Sequence, residues 1–176
     1  MQPQTKIREE IPTDIDKIWQ INFDAFETDT EAKLVNELRS CGCPYLSLVA
    51  EKENELVGHI LFTPVELSGT KNKLKIMGLA PMAVLRKFQN KGIGSKLVQA
   101  GLKYCKSRGY DAVVVLGHPN YYPKFGFVSS AKFGIKSEYD VPDDVFMILE
   151  LMPGVLKNHQ GVIKYQDVFN KIEQID

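Results

Sequence analysis

The chain has 176 residues, of which 44% are hydrophobic and 25% charged, enough for one globular domain that needs no metal or disulfide staple. Lysine plus arginine balances aspartate plus glutamate at 22 each, so no global field draws the protein to nucleic acid or an anionic membrane, and neither is expected as a partner. Nowhere do about 18 apolar residues run together, and residues 1–10 lack a signal-peptide core, so a cytoplasmic protein is expected.

Thr5 to Glu10 alternates weakly and predicts a short strand. Pro12 precedes Thr13-Asp14, either of which could cap a helix. Ile15, Ile18, Trp19, Phe23 and Phe26 then follow with helical spacing. The three aromatics fit core packing first, although they could line an acceptor pocket. Glu31 to Leu38 predicts a second short helix, ending at the breaker Cys41-Gly42-Cys43-Pro44. Two residues apart is a poor spacing for an internal disulfide, and no CxxC pair points to zinc or redox chemistry. Reduced thiols and no metal are expected, with the third cysteine, Cys105, on a predicted helix.

Leu46 to Glu51, Leu56 to Leu67 and Lys73 to Val84 predict three strands. Their turns, Glu53-Asn54 and Ser68-Gly69-Thr70, are short enough to imply antiparallel hairpins. Gly92 to Arg108 is the clearest helix. Ile93, Leu97, Val98, Gly101, Leu102 and Cys105 make its apolar or small face, and Gly109 its stop. Ala112 to Leu116 is a continuous apolar run, the pattern of a strand buried on both faces. Strand, helix and such a strand imply a parallel crossover pair. Val145 to Leu151 is another strand, and Val162 to Tyr165 a candidate for the last. An α/β (α+β) domain around a mixed sheet is expected, with residues 1–176 as a single domain and 152–176 as a C-terminal extension packed on it. That extension could cover a substrate site, make a homodimer contact or lie as a surface tail.

Gly92 and Gly94 sit where the predicted helix begins. The first four amides of a helix lack internal partners and carry the positive end of its dipole. With no Cβ in the way, a phosphate can approach such a backbone closely. Each amide bond to a charged acceptor contributes about 1.5–3 kcal/mol, and Lys91 adds positive charge. A lone GxG is equally a plain turn. A dinucleotide fingerprint would need glycine where Leu97 stands, and a phosphate-binding Walker loop would need Gly-Lys-Ser/Thr where Gly94-Ser95-Lys96 stands.

The strand Leu79 to Val84, the loop Leu85 to Lys91, and Gln89-Asn90-Lys91-Gly92-Ile93-Gly94 opening a long amphipathic helix together resemble the GCN5-related N-acetyltransferase (GNAT) family. In that family Q/R-x-x-G-x-G/A binds the acetyl-CoA pyrophosphate. Tyr121-Tyr122-Pro123-Lys124-Phe125-Gly126-Phe127 resembles its second cofactor motif, Y-x-x-x-G-F, with Tyr122, Gly126 and Phe127 at the marked positions. The order of elements resembles the family fold from Ile7 to about Leu151. Leu116-Gly117-His118-Pro119-Asn120-Tyr121-Tyr122 and Gly161-Val162-Ile163-Lys164-Tyr165 are similar to the YhbS-like branch, which commonly has an acidic residue where His118 stands.

The resemblance implies a mostly antiparallel sheet with one splayed parallel pair, and direct acetyl transfer from acetyl-CoA to a primary amine on a small molecule, peptide or protein. A non-catalytic acyl-CoA sensor is the alternative. It implies cofactor contacts from Met82, Ala83, Val84, Gln89, Asn90, Lys91, Gly92, Ile93, Gly94, Ser95, Leu116 and Tyr122. The oxyanion contact would be the backbone amide of Val84 or a near neighbour, with Met82, Val84 and, across the gap, Leu116 along pantetheine. Pro81 agrees, because it cannot donate to a ladder and belongs at an edge or bulge. Tyr122 takes the place of the family's general acid. A phenol near pKa 10 protonating a thiolate near 8.5 is uphill by about 2 kcal/mol, so Tyr122 is expected chiefly to hydrogen-bond the thiolate. Aromatic packing beside Phe125 and Phe127 is its other reading. A lysine-like acceptor pays about 4–5 kcal/mol to be neutral at pH 7, so a base is useful. Glu27, Glu66, His59 and His118 are candidates by type, with Glu27 and His118 the better placed.

Overall fold

The computed structural model describes residues 3–69 and 73–173. Strand β1 (Lys6–Glu9) leads through a 3-10 turn (Pro12–Asp14) into helices α1 (Ile15–Phe26) and α2 (Thr30–Ser40). Strands β2 (Leu46–Lys52), β3 (Glu55–Ser68) and β4 (Ile76–Val84) precede helix α3 (Ile93–Ser107) and strand β5 (Ala112–Leu116). Short strands β6 (Val128–Ser129) and β7 (Ile135–Ser137), then β8 (Phe146–Glu150), β9 (Gly161–Lys164) and helix α4 (Asp167–Glu173), complete the order.

The hydrogen-bonded strand order is β1-β2-β3-β4-β5-β8-β6. The ladders β1–β2, β2–β3, β5–β8 and β6–β8 are antiparallel. Between β4 and β5 the ladder is parallel, from Ile76↔Ala112 to Leu79↔Val115. This is the mixed sheet with a parallel crossover pair that the alternation of elements predicts, and it is mostly antiparallel and flanked by helices, as the family resemblance implies. Off that path, β9 pairs antiparallel with the end of β3 and parallel with β7. The β7 strand is too short to carry a period-2 signal, so its ladder is invisible in the sequence.

By contact density the chain falls into two compact units. The first comprises Met1–Thr63, Ala80–Gly101 and Asp167–Asp176, and the second Pro64–Leu79 and Leu102–Gln166.

In the first unit the β2–β3 hairpin turns at Glu53 and Asn54, both left-handed (φ 52 and 63), as a two-residue loop of type I′ requires. Helix α3 lies close to β3. A Cβ on Gly101 would come within 2.3 Å of the Phe62 ring, and one on Gly58 within 3.0 Å of Leu97. Asp14 stands at the N-cap of α1 without a side-chain cap bond. Its carboxylate instead accepts from Arg8 (2.7 and 3.1 Å) and from the Ile11 amide (2.9 Å), tying β1 to the helix start. Those Arg8 bonds hold the Asp14 carboxyl below the usual carboxylate range, against burial and with help from the Ile11 amide.

Two expectations are corrected here. The buried residues of α1 are Ile18, Ile21 and Asn22, while Phe23 is 50% and Phe26 37% exposed and Trp19 is half-buried. At about 100° per residue the three aromatics centre roughly a third of a turn away from that inward face, so they do not build the core. Cys41 and Cys43, expected as reduced thiols, are joined as a disulfide. Gly42 between them is left-handed (φ 79), which folds their Cα atoms to 5.5 Å.

In the second unit β5 is buried from Ala112 to Val115 and exposed at Leu116, as a strand covered on both faces would be until its last residue. Strand β4 begins at Ile76 rather than Lys73, where the Asp111 carboxylate accepts from the Lys75 amide at 2.8 Å and the Asp111 amide donates to the Lys75 carbonyl at 2.7 Å. Helix α3 stops at left-handed Gly109 (φ 82), whose amide donates to Lys106. Cys105 is fully buried, and burial pushes its thiol up to about 12, leaving it inert near neutral pH. Of the predicted turn Ser68-Gly69-Thr70, Gly69 is left-handed (φ 89), while Thr70 lies outside the described residues. In the C-terminal stretch β9 is hydrogen-bonded into the strands of this unit, and α4 packs on α2 in the first; residues 174–176 lie outside the described residues.

Candidate functional site

In the first unit, Pro81 and Ala83 on β4 are buried while Met82 and Val84 are half-buried, the alternation of a strand that presents Met82 and Val84 together on one face. The chain then leaves the sheet under tight control. The Leu85 amide donates to Val57 O (2.9 Å), and the Arg86 amide to the Asp24 carboxylate (2.8 Å). Gln89, the first residue of the glycine motif, is exposed but folds its side chain back along the loop, where its Nε2 donates to Val84 O at 3.0 Å. It braces the loop across its own turn. Asn90 (φ 60) and Gly92 (φ 82) are both left-handed, bending the chain on either side of Lys91. All three are exposed, and a Cβ on Gly92 would face open space.

The first i→i−4 bond of α3 runs from Lys96 N to Gly92 O at 3.1 Å. The backbone amides of the first turn, starting with Ile93 and Gly94, precede that bond and carry the positive end of the dipole. An exposed, doubly bent loop feeding a helix N-terminus, with room where a side chain would stand, has the form of a phosphate cradle.

Arg86 escaped the sequence reading. Its guanidinium pairs with Glu27, and its Nε lies 3.5 Å from Asp24. Glu27 itself is the left-handed C-cap of α1 (φ 59). Its carboxylate therefore fastens the post-β4 loop to α1, beside a depression of about 380 Å³ lined by Asp24, Leu85, Arg86 and Lys87. No local pattern announces a pair 59 residues apart in sequence.

His59 is fully buried on β3. Asn22 Nδ2 donates to Ile18 O (3.0 Å) and to His59 Nδ1 (3.2 Å), so the network assigns the ring proton to Nε2, which donates to Ser47 Oγ at 2.9 Å. Burial, with Arg39 as a lesser cause, pushes the imidazole down to about 3. Both nitrogens are engaged and the ring resists protonation, which makes His59 a structural residue rather than a base.

In the second unit, β5 ends at Leu116 and the chain turns through Gly117 and exposed His118. The His118 carbonyl accepts from the amides of Tyr121 (3.1 Å) and Tyr122 (3.5 Å). Tyr122 opens a 3-10 turn (Tyr122–Phe125) that ends at left-handed Gly126 (φ 101). Its ring meets Tyr121 edge-on at 5.0 Å and Phe127 at 5.7 Å between centroids. A Cβ on Gly117 would come within 2.3 Å of that ring, so glycine there is what lets the ring lie against the backbone. Tyr122 is 8% exposed, and burial, with Tyr121 second, pushes its phenol up to about 12. Glu66, the remaining base candidate, is exposed on β3 opposite Lys164.

The candidates thus form two groups. Met82 to Ser95 and Glu27 belong to the first unit, and Leu116, His118 and Tyr122 to the second.

A profile of the Acetyltransferase (GNAT) family matches residues 13–127. The chain is 36% identical over 166 residues to an Escherichia coli (strain K12) protein named uncharacterized N-acetyltransferase YhbS, across 94% of this chain and 98% of that protein. The crystal structure of Escherichia coli YhbS in complex with CoA matches the fold with a TM-score of 0.91 at 34% identity, covering 97% of this chain and 94% of that one. A GNAT family acetyltransferase from Brucella melitensis, in complex with acetyl-CoA, matches with a TM-score of 0.78 at 32% identity, covering 94% of this chain and 98% of its own.

Proposed function

This chain belongs to the acetyltransferase (GNAT) family and is an acyltransferase, and we propose that it moves an acetyl group directly from acetyl-CoA to a primary amine in the cytoplasm. The observation that carries the donor is the loop Gln89 to Ser95: left-handed Asn90 and Gly92, exposed Lys91, and a helix N-terminus behind them. That combination fits a pyrophosphate, whose charge meets backbone amides rather than a dedicated side chain. The CoA and acetyl-CoA complexes of the Escherichia coli and Brucella proteins support the same donor.

In this reading the half-buried face of Met82 and Val84, together with Leu116, carries pantetheine. The Val84 amide polarises the thioester carbonyl. The neutral amine nitrogen bonds to the acetyl carbon, the carbon–sulfur bond breaks, sulfur leaves as thiolate, and the amine's surplus proton passes to a base or water. Tyr122 donates a hydrogen bond to the departing sulfur. With its phenol at about 12, complete proton transfer to a thiolate near 8.5 is uphill by about 5 kcal/mol, so the O–H stays on oxygen and stabilises charge. Among base candidates, Glu27 is held by Arg86, which leaves exposed His118 the less encumbered group.

Acetyl-CoA titration followed by thiol release across a panel of amines tests the reading. Saturable binding with release on at least one primary amine is expected. Binding with no release on any amine would reduce the protein to an acyl-CoA sensor, and no binding would end the donor assignment.

A further inference from the structure

Phe88 closes the 3-10 turn between β4 and the glycine loop, and three ammonium groups gather on its ring. Nζ of Lys87 lies 5.0 Å from the centroid, that of Lys91 5.5 Å, and that of Lys52 5.8 Å. Lys52 is the last residue of β2, Lys87 shares the turn of Phe88, and Lys91 sits inside the glycine loop. Glu55 lies 3.6 Å from Lys87, but it lies equally close to Lys17. Among the described residues no carboxylate pairs with Lys52 or Lys91.

Like charges held this close repel, and an aromatic face offsets the repulsion only weakly at an exposed site. The fold therefore concentrates uncompensated positive charge beside the phosphate cradle, where the end of β2 meets the loop that follows β4. A pyrophosphate on the amides of α3 does not need it. CoA carries a second anionic group, the phosphomonoester on its ribose, which is largely dianionic at neutral pH.

We propose that Lys52 and Lys87, gathered with Lys91 on the Phe88 ring, form a subsite for this ribose phosphomonoester and make the protein prefer CoA to 3′-dephospho-CoA. This rests on the acyl-CoA reading above. Calorimetric titration of both forms against the native protein and a Lys52→Gln/Lys87→Gln double variant tests it. The native protein should bind CoA about tenfold more tightly than 3′-dephospho-CoA at low salt, the scale of two surface charges near a dianion, and the preference should shrink as salt is raised. In the double variant CoA affinity should fall to the dephospho level while 3′-dephospho-CoA affinity stays unchanged, which also shows that the loop is intact. Equal binding of the two forms by the native protein would overturn the subsite, as would a double variant that weakens both alike. Binding of neither form would overturn the acyl-CoA reading and the subsite with it.

Discussion

The glycine loop and the tyrosine turn are both short, irregular and left-handed at a glycine, yet they are built on opposite principles. The loop is exposed, its bends are conformational, and nothing lies within 4 Å of where a Gly92 side chain would begin. The tyrosine turn is packed, with Tyr122 8% exposed between Tyr121 and Phe127 and pressed against Gly117. A loop that recognises an anion through backbone amides needs shape and room. A turn that aims one hydroxyl needs its ring immobilised, and packing does that.

The difference is sharpest for Tyr122→Phe, which keeps the packed ring and removes only the hydroxyl. Turnover should fall roughly 100-fold, the scale of one positioned proton donor, while acetyl-CoA affinity changes less than about twofold. Steady-state thiol release paired with calorimetry reads both, and an unchanged turnover would remove Tyr122 from the mechanism. Gly92→Ala should do the reverse. The new methyl has space, so the cost is conformational, about 1–2 kcal/mol for an alanine held at positive φ. Donor affinity should weaken about tenfold, with turnover at saturating donor nearly retained. If kcat fell instead, the loop would be serving the chemical step.

The smallest effect concerns the support beneath the first unit. His59 is buried neutral with a folded value of about 3, below its unfolded value near 6.5. Below 6.5 the unfolded chain takes up a proton that the folded chain refuses, so this contribution is present above 6.5 and lost progressively as pH falls toward 3. Denaturant unfolding should show about 1.4 kcal/mol less stability at about pH 5.5 than at about pH 7.5, relative to a His59→Gln variant, which has no imidazole to protonate. Parallel pH profiles for the two proteins would refute it.

Much of the fold was legible because periodicity and punctuation agreed. The Ile93-to-Cys105 stripe and the Ala112-to-Val115 run announced a helix and a doubly covered strand, and both lie within a residue or two of their predicted bounds. The aromatics of α1 misled, because helical spacing reports that residues share a face without saying which face meets the core. Cys41 and Cys43 misled because spacing alone ignores what a left-handed glycine does to the distance between its neighbours.

By itself the sequence determined the order of elements and the glycine motif, since these follow from local backbone preferences and from side chains a few residues apart. Only the tertiary structure decided that Gln89 braces Val84, that Glu27 belongs to Arg86, that Gly117 makes room for Tyr122, and that three lysines meet on Phe88. These are relations between side chains and the backbone or rings they meet, most of them brought in from other segments. Packing fixes them, and no local window of the chain contains them.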